Sequence, residues 1–371
     1  MKVSLSRPDV TDRDRQVVLS VLDTPVLSIG PYTEKFEQRV AGYVGRKHGV
    51  AVNSGTSGLH LAVRALGIRE GDEVITTPFS FVASSNCVLY ERARLVFADI
   101  DPRTLNIDPT LIEDKVTSRT RAILPVDSFG QPADLPAIRA IAERHGLWVI
   151  EDSCESLGAM IDGKMAGSGD YCDVAVFAFY PNKQITTGEG GLLVTDDDHT
   201  AYECRSMRNQ GRGEGDRWLF HERLGYNYRL DEMSAALGWS QMSRIEEILA
   251  RRQNVAERYA QRLALVKGVT APYVDPRVKM SWFVYVVRLD PEVERDRVME
   301  LMGERGVQCR PYFTPIHLQP FYREMFGFKE GDFPVTERVG RSTLAIPFHN
   351  NLSREEMDYA VSSLADCIRM A

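Results

Sequence analysis

The sequence predicts an α/β protein with an open, mainly parallel sheet, followed by a smaller α+β unit. Up to Leu230, short apolar stretches alternate with helical patterns. These stretches are apolar throughout, which is typical of parallel strands buried on both faces. After Leu230 a long helical pattern begins, and further strands and helices follow it. We therefore expect two domains, residues 1–245 and residues 246–371, with the boundary inside the long helical stretch.

The predicted elements can be justified in chain order. The first helix has apolar residues on one face, and Thr11 or Asp12 is suited to cap its start. A Gly30-Pro31 pair then marks a loop. Helices are predicted at 10–23, 33–44, 58–66, 84–90, 111–115 and 135–145. Strands are predicted at 49–52, 73–76, 95–97, 122–126, 147–150, 174–179 and 192–194.

The second unit is predicted from the change in the pattern of apolar and polar residues after Leu230. Residues 231–266 read as one nearly continuous helix. The elements expected after it are strands near Val269 and at 282–289, a helix at 291–305, strands near Val307 and Leu344, and a last helix at 353–370.

Composition excludes several classes of protein. The net charge of −7 argues against a nucleic-acid partner. No apolar stretch has the length of a membrane span, and the first residues lack the apolar core of a signal peptide, so we expect a cytoplasmic protein without membrane contact. The six cysteines are scattered without a Cys-x-x-Cys pair, so no metal site and no disulfide framework is expected.

One lysine stands out as a candidate for catalysis. Lys183 follows a buried strand and a Pro-Asn turn, and a glycine-rich turn and a second strand come after it. Desolvation at such a place disfavours the charged ammonium, and a Schiff-base lysine must act as a neutral amine. The alternative is a surface lysine in a hairpin turn.

Two further segments would suit a phosphate-bearing cofactor. Asp152 comes directly after a buried strand, where a carboxylate could keep a pyridine nitrogen protonated; the alternatives are a helix cap or a magnesium ligand. Residues 52–60 pass from a strand through a small polar turn into a helix, so that residues 54–58 would form an anion-binding turn; the alternative is an ordinary capped helix.

In this order the motifs resemble the DegT/DnrJ/EryC1/StrS sugar aminotransferases, which are fold-type I, aspartate-aminotransferase-like enzymes that use pyridoxal 5′-phosphate. The resemblance extends over nearly the whole chain. Its most specific parts are Ser54-Gly55-Thr56-Ser57, Glu151-Asp152, Asn182-Lys183 with Thr186-Thr187-Gly188-Glu189-Gly190-Gly191, and Gly225-Tyr226-Asn227-Tyr228-Arg229. The resemblance implies a large cofactor-binding domain and a smaller C-terminal one.

The resemblance also implies roles for individual residues. Lys183 would bind the cofactor covalently and move the catalytic proton, Asp152 would pair with the pyridine nitrogen, and Phe81 would stack on the ring. Gly55 and Thr56 would hold the phosphate, and Glu155 would lie beside the phenolic oxygen. Asn227 would reach the cofactor phosphate of the partner subunit, which implies a homodimer with shared active sites. Substrate contacts are expected from Gly30, Arg229 and His317, with Arg208 and Arg212 as further candidates; for His317 a packing role is the alternative.

Three residues depart from the family pattern. Ala178 stands where many members have a phosphate-binding serine, so that contact must be absent or replaced, with Ser57 or water as substitutes. Asp127 stands where the family commonly has histidine, and no effect of this change can be derived from the sequence. Glu155 would repel a neighbouring phenolate, so one of the two groups is expected to carry a proton.

The implied reaction is a transamination. Dehydratase relatives carry histidine at the position of Lys183, so the lysine favours amino transfer from L-glutamate to a nucleotide-linked keto sugar. The segment 186–191 resembles members that aminate C4 of a 4-keto-6-deoxyhexose. The alternatives are an aminotransferase acting on a C3-keto sugar or a cyclitol, and a non-catalytic regulator on the same fold.

Overall fold

A computed structural model of the chain describes residues 1–213 and 219–371. The strands are β1 (His48–Val52), β2 (Glu73–Thr76), β3 (Arg94–Phe97), β4 (Thr120–Leu124), β5 (Trp148–Asp152), β6 (Met160–Ile161), β7 (Lys164–Met165), β8 (Val174–Ala178), β9 (Gly191–Thr195), β10 (Val269–Thr270), β11 (Val278–Lys279), β12 (Tyr285–Leu289) and β13 (Thr343–Ile346). The helices are α1 (Asp12–Leu22), α2 (Pro31–Val44), α3 (Gly55–Ala65), α4 (Ala83–Tyr90), α5 (Leu135–His145), α6 (Asp198–Arg208), α7 (Glu232–Met242), α8 (Ile245–Leu263), α9 (Arg295–Glu304), α10 (Pro320–Phe326), α11 (Pro334–Ser342) and α12 (Arg354–Met370).

The centre of the molecule is a seven-stranded sheet in the order β1-β9-β8-β5-β4-β2-β3. Strand β9 is antiparallel to both of its neighbours, and the other neighbouring pairs are parallel. Apolar residues cover both faces of the sheet, in two separate clusters. The predicted α/β class with a mixed, mainly parallel sheet is therefore confirmed.

The C-terminal part has its own small sheet and its own core. Strands β10, β12 and β13 form an antiparallel sheet, and helices α8, α9 and α12 pack around it. A second small sheet joins β11 to the β6–β7 hairpin, so the two parts of the chain are linked through hydrogen bonds. The division at residue 245 stays a prediction, and the start of the chain crosses it, because Val3 pairs with Val307.

Several predicted elements differ from the structure. The helix predicted at 231–266 is broken at 243–244, where the Arg244 guanidinium turns to the carboxylates of Asp9 and Asp14, each at 3.1 Å. The helix predicted at 111–115 is two short 3₁₀ segments, Pro109–Leu111 and Glu113–Lys115. The strand expected near Val307 is a single bridge.

Helix α6 was not predicted, because its sequence is rich in charged residues. Its buried side chains include Ala201, Cys204 and Met207, which are spaced three residues apart. That spacing is a weak helical signal, since small residues and cysteine form a narrow apolar stripe. Among residues 1–213 and 219–371, no helix combines the length and apolar character that a bilayer crossing requires.

The sheet places several loops at one edge. Strands β1, β2, β4, β5 and β8 run in the same direction, so the segments that follow them meet beyond their carboxyl ends. In open α/β sheets this edge is where ligands bind. The predicted phosphate turn and Asp152 both come from these strand ends.

Candidate active site

A cavity of about 490 Å³ opens at the carboxyl ends of the central strands. The structure brings six of the predicted site residues into its lining: Gly55, Thr56, Phe81, Asp152, Glu155 and Lys183. The cavity is also lined by residues that were not predicted, among them Ser84, Cys154, Tyr180, Asn182, Phe283, Tyr312 and Phe313. We refer to Gly55, Thr56, Asp152, Glu155 and Lys183 as the cofactor floor, and to Phe283, Tyr312 and Phe313 as the aromatic wall.

The predicted phosphate turn is the start of helix α3. Ser54 caps the helix, and its hydroxyl accepts a hydrogen bond from the amide of Ser57 at 3.1 Å. The first amides of a helix have no carbonyl partner within it, and the helix dipole adds positive potential there. A Cβ atom on Gly55 would lie 2.8 Å from the Cβ of Ala178 and 3.0 Å from the Sγ of Cys154. Glycine is therefore required for the turn to pack against these neighbours.

Ala178 faces this turn and offers no hydroxyl group to a phosphate. The proposed substitute, Ser57, is already engaged: its hydroxyl donates to the Oδ1 of Asn53 at 2.7 Å and lies 2.9 Å from the Ser54 hydroxyl. Thr56 lines the cavity instead. Phosphate contacts from this chain would thus come from the turn amides and Thr56.

Asp152 is the last residue of β5 and is buried. Its Oδ2 accepts a hydrogen bond from the Ser84 hydroxyl at 2.6 Å, and its Oδ1 accepts one from the amide of Cys154 at 3.2 Å. No helix begins at this residue, so the helix-cap alternative is wrong. The described residues contain no group of three or more His, Cys, Asp or Glu side chains suited to hold a metal ion.

Lys183 lies in the turn between β8 and β9, with its side chain inside the cavity. Its Nζ is 3.4 Å from the Oε1 of Glu155 and 3.8 Å from the ring centroid of Phe283. Only 12% of the side chain is exposed, which contradicts the alternative of a surface lysine. Arg252 donates to the backbone carbonyl of Lys183 at 2.8 Å and so fixes the turn. Burial lowers the pKa of that arginine to about 10.

Glu155 connects the lysine to a neighbouring loop. Its Oε2 accepts a hydrogen bond from the amide of Phe129 at 2.8 Å, and Oε1 faces Lys183. Burial raises the pKa of Glu155 above its ordinary value, although the nearby Lys183 opposes this shift. A raised pKa is compatible with the expectation that Glu155 or its neighbour carries a proton, and that expectation stays a prediction.

Aromatic side chains close the cavity. Phe81 is 62% exposed at the mouth, where a bound ring would cover it. Phe283 is buried, and Tyr312 packs between Phe283 and Phe313, so the aromatic wall is one packed unit. Burial raises the pKa of Tyr312 to about 12. No role was predicted for these wall residues from the sequence, and they lie far from the floor residues in the chain.

The other predicted residues lie outside the cavity lining. The amide of Gly30 donates to the Oε1 of Glu232 at 2.9 Å, at the start of α2. Arg229 donates to the Oδ1 of Asn209 at 3.1 Å, and the side chain of Asn227 is exposed. Their roles in binding stay predictions.

The structure favours packing roles for two of the substrate candidates. His317 is fully buried, with its Nε2 3.1 Å from the Oε1 of Glu337 and its ring against Phe333. Arg208 is also buried, and it donates to Glu37 and to the carbonyl of Ala51. Arg212 forms a bridge with His221 away from the cavity.

The residues present fit pyridoxal phosphate. An anion-binding helix start, a buried carboxylate and a lysine amine all face one cavity, and the absence of a side chain at Gly55 lets the turn pack closely against Ala178 and Cys154. A phosphate, a ring nitrogen and an aldehyde are the three groups that such a set would hold. The bond from Ser84 fixes the carboxylate without neutralising it.

Comparison with known proteins agrees with this geometry. Residues 8–365 match the model of the DegT/DnrJ/EryC1/StrS aminotransferase family. The chain is 39% identical to GDP-perosamine synthase from Caulobacter vibrioides, and the alignment covers 98% of this chain and 97% of that protein. Among solved structures, DesV of S. venezuelae has a TM-score of 0.90 at 33% identity and covers 98% of both chains. NtdA from Bacillus subtilis, solved with bound PMP, has a TM-score of 0.87 at 29% identity and covers 97% of this chain and 83% of its own. The chain therefore belongs to the DegT/DnrJ/EryC1/StrS aminotransferase family and is a pyridoxal-phosphate-dependent sugar aminotransferase with the predicted fold.

Proposed function

We propose that this enzyme transfers the amino group of L-glutamate to C4 of a nucleotide-linked 4-keto-6-deoxyhexose. The observation that carries the proposal is the pairing of Lys183 with Glu155 inside the cavity, at 3.4 Å. This pairing occurs in a chain 39% identical to a GDP-perosamine synthase, whose name supports a nucleotide-linked substrate here. The segment 186–191, which resembles members that aminate C4, supports the position of the amino group.

Three floor residues, Gly55, Thr56 and Asp152, would hold the cofactor, and Lys183 would move a proton. The amides of Gly55 and Thr56 would hold the phosphate, and the carboxylate of Asp152 would keep the ring nitrogen protonated. Pyridoxal phosphate, when bound, supplies a ring that withdraws electrons from the substrate carbon. Lys183 would take the proton from that carbon, since its amine lies within the cavity and can accept a proton when neutral.

Glu155 and the aromatic wall would set the conditions for this proton transfer. Glu155 orients the amine of Lys183, because its second oxygen is fixed by the amide of Phe129 at 2.8 Å. Phe283 and Tyr312 exclude water from the side of the cavity next to the lysine. A protein environment without bulk water strengthens these electrostatic contacts.

A substrate screen tests the proposal directly. The enzyme would first be converted with L-glutamate to its pyridoxamine phosphate form, and nucleotide-linked 4-keto and 3-keto sugars would then be added. Recovery of the original absorbance with the 4-keto sugars, and not with the 3-keto sugars, is the expected result. Recovery with only the 3-keto sugars would overturn the proposed position. Conversion by L-glutamine and not by L-glutamate would favour a cyclitol substrate.

We also propose a cytoplasmic homodimer whose active sites are shared. The exposed side chain of Asn227, with exposed Leu219 and Leu224 nearby in sequence, supports a contact with a second copy. Co-expression of Lys183→Ala and Asn227→Ala chains tests this idea. A mixed dimer would hold one intact site, so activity should return, whereas either variant alone should be impaired. No recovery in a verified mixed dimer would contradict a shared site.

A further inference from the structure

Two carboxyl groups lie fully buried behind the strand end that carries Asp152. Asp127 follows β4, and Glu151 immediately precedes Asp152 in β5; both side chains are 0% exposed. Val126 pairs with Asp152, so Asp127 and Glu151, each one residue further along or back on its strand, lie on the same face, behind the cavity. Two carboxylates can only accept hydrogen bonds, so a bond between them requires a proton on one of them. Asp127 is also the departure from the family pattern whose effect could not be derived from the sequence.

The surroundings of this pair supply hydrogen bonds but no compensating charge. The donors to the pair are uncharged: the Ala133 amide (2.9 Å) and the Ser156 hydroxyl (2.6 Å) for Asp127, and the Gly167 amide (2.9 Å) and the Ser153 hydroxyl (2.8 Å) for Glu151. Burial, and then the charge of Glu151, raises the pKa of Asp127 well above its ordinary value. Both effects favour the state with one shared proton.

Other titratable groups around the pair do not neutralise it. The thiol of Cys172 donates to the carbonyl of Ser168 at 3.3 Å, and burial, followed by the charge of Glu151, raises the pKa of this thiol well above its ordinary value. Arg46 approaches from the end of α2, but its guanidinium binds the Asp196 carboxylate at 2.8 Å and the carbonyl of Asp173 at 2.8 Å. The Asp173 carboxylate, which lies near Cys172, is paired with the Arg139 guanidinium at 3.2 Å, and the carboxyl groups of Asp152 and Glu155 line the cavity side.

The pair anchors the segment that carries two residues of the cofactor floor. Within residues 151–156, Asp152 and Glu155 line the cavity, whereas Ser153 and Ser156 donate to the pair. The amide of Asp127 also donates to the carbonyl of Asp152 at 3.1 Å. We propose that one proton shared by Asp127 and Glu151 fixes this segment and so positions Asp152 and Glu155 against the cofactor. This positioning role depends on the cofactor site described above, but the shared proton itself does not.

The first experiment measures the thermal unfolding of the full-length protein without cofactor from about pH 5 to about pH 9. The folded protein keeps a proton that the unfolded chain loses above the ordinary pKa of Asp, so stability should fall as pH rises toward the raised pKa. Asp127→Asn and Glu151→Gln replace the shared proton by a permanent N–H donor. The Tm of each variant minus the Tm of the native protein should therefore increase as pH rises.

A matched control replaces a buried carboxylate that lies outside this pair. Asp99 is buried and accepts from the amides of Val335 and Thr336, each at 2.9 Å. Asp99→Asn should change Tm by the same amount from about pH 7 to about pH 9, above the ordinary pKa of the neighbouring His317. If the Tm differences of Asp127→Asn and Glu151→Gln from the native protein are also independent of pH, the shared proton is excluded.

The second experiment measures the affinity of the same proteins for pyridoxal phosphate by absorbance titration. Asp127→Asn should bind nearly as well as the native protein at neutral pH. Asp127→Ala should weaken binding by about tenfold, the size of loss typical of an outer-shell partner. Should Asp127→Ala not fold, Ser156→Ala removes one anchor, and it should weaken binding by about fivefold, the value of one hydrogen bond.

Unchanged cofactor affinity in folded Asp127→Ala or Ser156→Ala would overturn the positioning role. The results also separate this proposal from the proposed function. A native protein that binds the cofactor, with pH-independent differences among the variants, contradicts the shared proton alone. A native protein that never develops the visible absorbance contradicts the cofactor site on which the proposed function rests.

Discussion

The cofactor floor and the aromatic wall are built by different physical means. The floor residues come from strand ends and from the start of α3, and hydrogen bonds fix them, such as that from Ser84 to Asp152 at 2.6 Å. The wall consists of packed rings: Phe283 and Tyr312 meet edge to face with centroids 6.4 Å apart, and Tyr312 and Phe313 are tilted with centroids 4.9 Å apart. The floor is polar and locally encoded, whereas the wall is apolar and assembled from segments distant in sequence. Substitutions in the floor should therefore impair chemistry, and substitutions in the wall should impair stability first.

Lys183→Ala should have the largest effect. Removal of the amine that would move the proton should lower kcat by at least about a hundredfold and abolish the visible absorbance of the bound cofactor, while Tm in the absence of cofactor changes little. Lys279→Ala, at an exposed position on β11, is the control and should behave like the native protein. If the Lys183→Ala protein retains the absorbance, another amine binds the cofactor.

Phe283→Ala should destabilise the fold before it affects chemistry. The ring is 2% exposed and packs against both Lys183 and Tyr312, so its removal should cost about 3–5 kcal/mol of unfolding free energy. Chemical denaturation monitored by circular dichroism measures this loss. If stability is unchanged and kcat falls, the proposed difference between wall and floor is wrong.

Gly55→Ala should weaken cofactor binding with little loss of global stability. The new Cβ would lie 2.8 Å from that of Ala178, so the turn must shift, and we expect the Kd for pyridoxal phosphate to rise by about tenfold. Gly42→Ala is the matched control, because no atom lies within 4 Å of the added Cβ in α2. That control should stabilise the protein by about 0.5–1 kcal/mol. Equal Kd values for both variants would contradict the phosphate turn.

His317→Gln separates a packing role from a substrate contact. Burial lowers the pKa of His317, so the unfolded chain takes up a proton first, and the native protein should lose stability as pH falls below about 6.5. Glutamine does not titrate, so the variant, which should be less stable by about 1 kcal/mol at pH 8, should approach the native protein at pH 5. KM should not change. A raised KM without a loss of stability would instead support the predicted substrate contact.

The sequence predicted much of the sheet and most of the floor, for a physical reason. Strands such as β8 are short and apolar throughout, and their neighbours in sequence are also neighbours in space. Asp152 ends one short buried strand and Lys183 lies in the turn after another, so their positions could be inferred from the chain alone. The break between α7 and α8 could not, because it depends on the contact of Arg244 with Asp9 and Asp14 from the opposite end of the large domain's sequence.

The wall and the acid pair were missed because they depend on tertiary contacts. Phe283 reaches Lys183, and Tyr312 packs on Phe283, only after the C-terminal part has packed on the sheet. Asp127 was recognised as unusual, but its partner could not be named, since the sequence does not state that β4 and β5 are paired. Ser84 gives no sequence signal beyond a position in the first turn of α4, and only the fold brings it to Asp152.

The first residues of the chain have a consequence for how the molecule can be divided. The amide of Val3 donates to the carbonyl of Gly306 at 2.9 Å, the amide of Gln308 returns a bond to Val3 at 3.0 Å, and the amide of Phe348 donates to the carbonyl of Leu5 at 2.8 Å. Residues 3–5, which we call the N-terminal strap, thus pair with the edge of the C-terminal unit. A cut after residue 245 would expose apolar surface that Val3 now covers, and the isolated fragment 246–371 should aggregate. A soluble C-terminal fragment would therefore have to carry the strap, joined to it through a new linker.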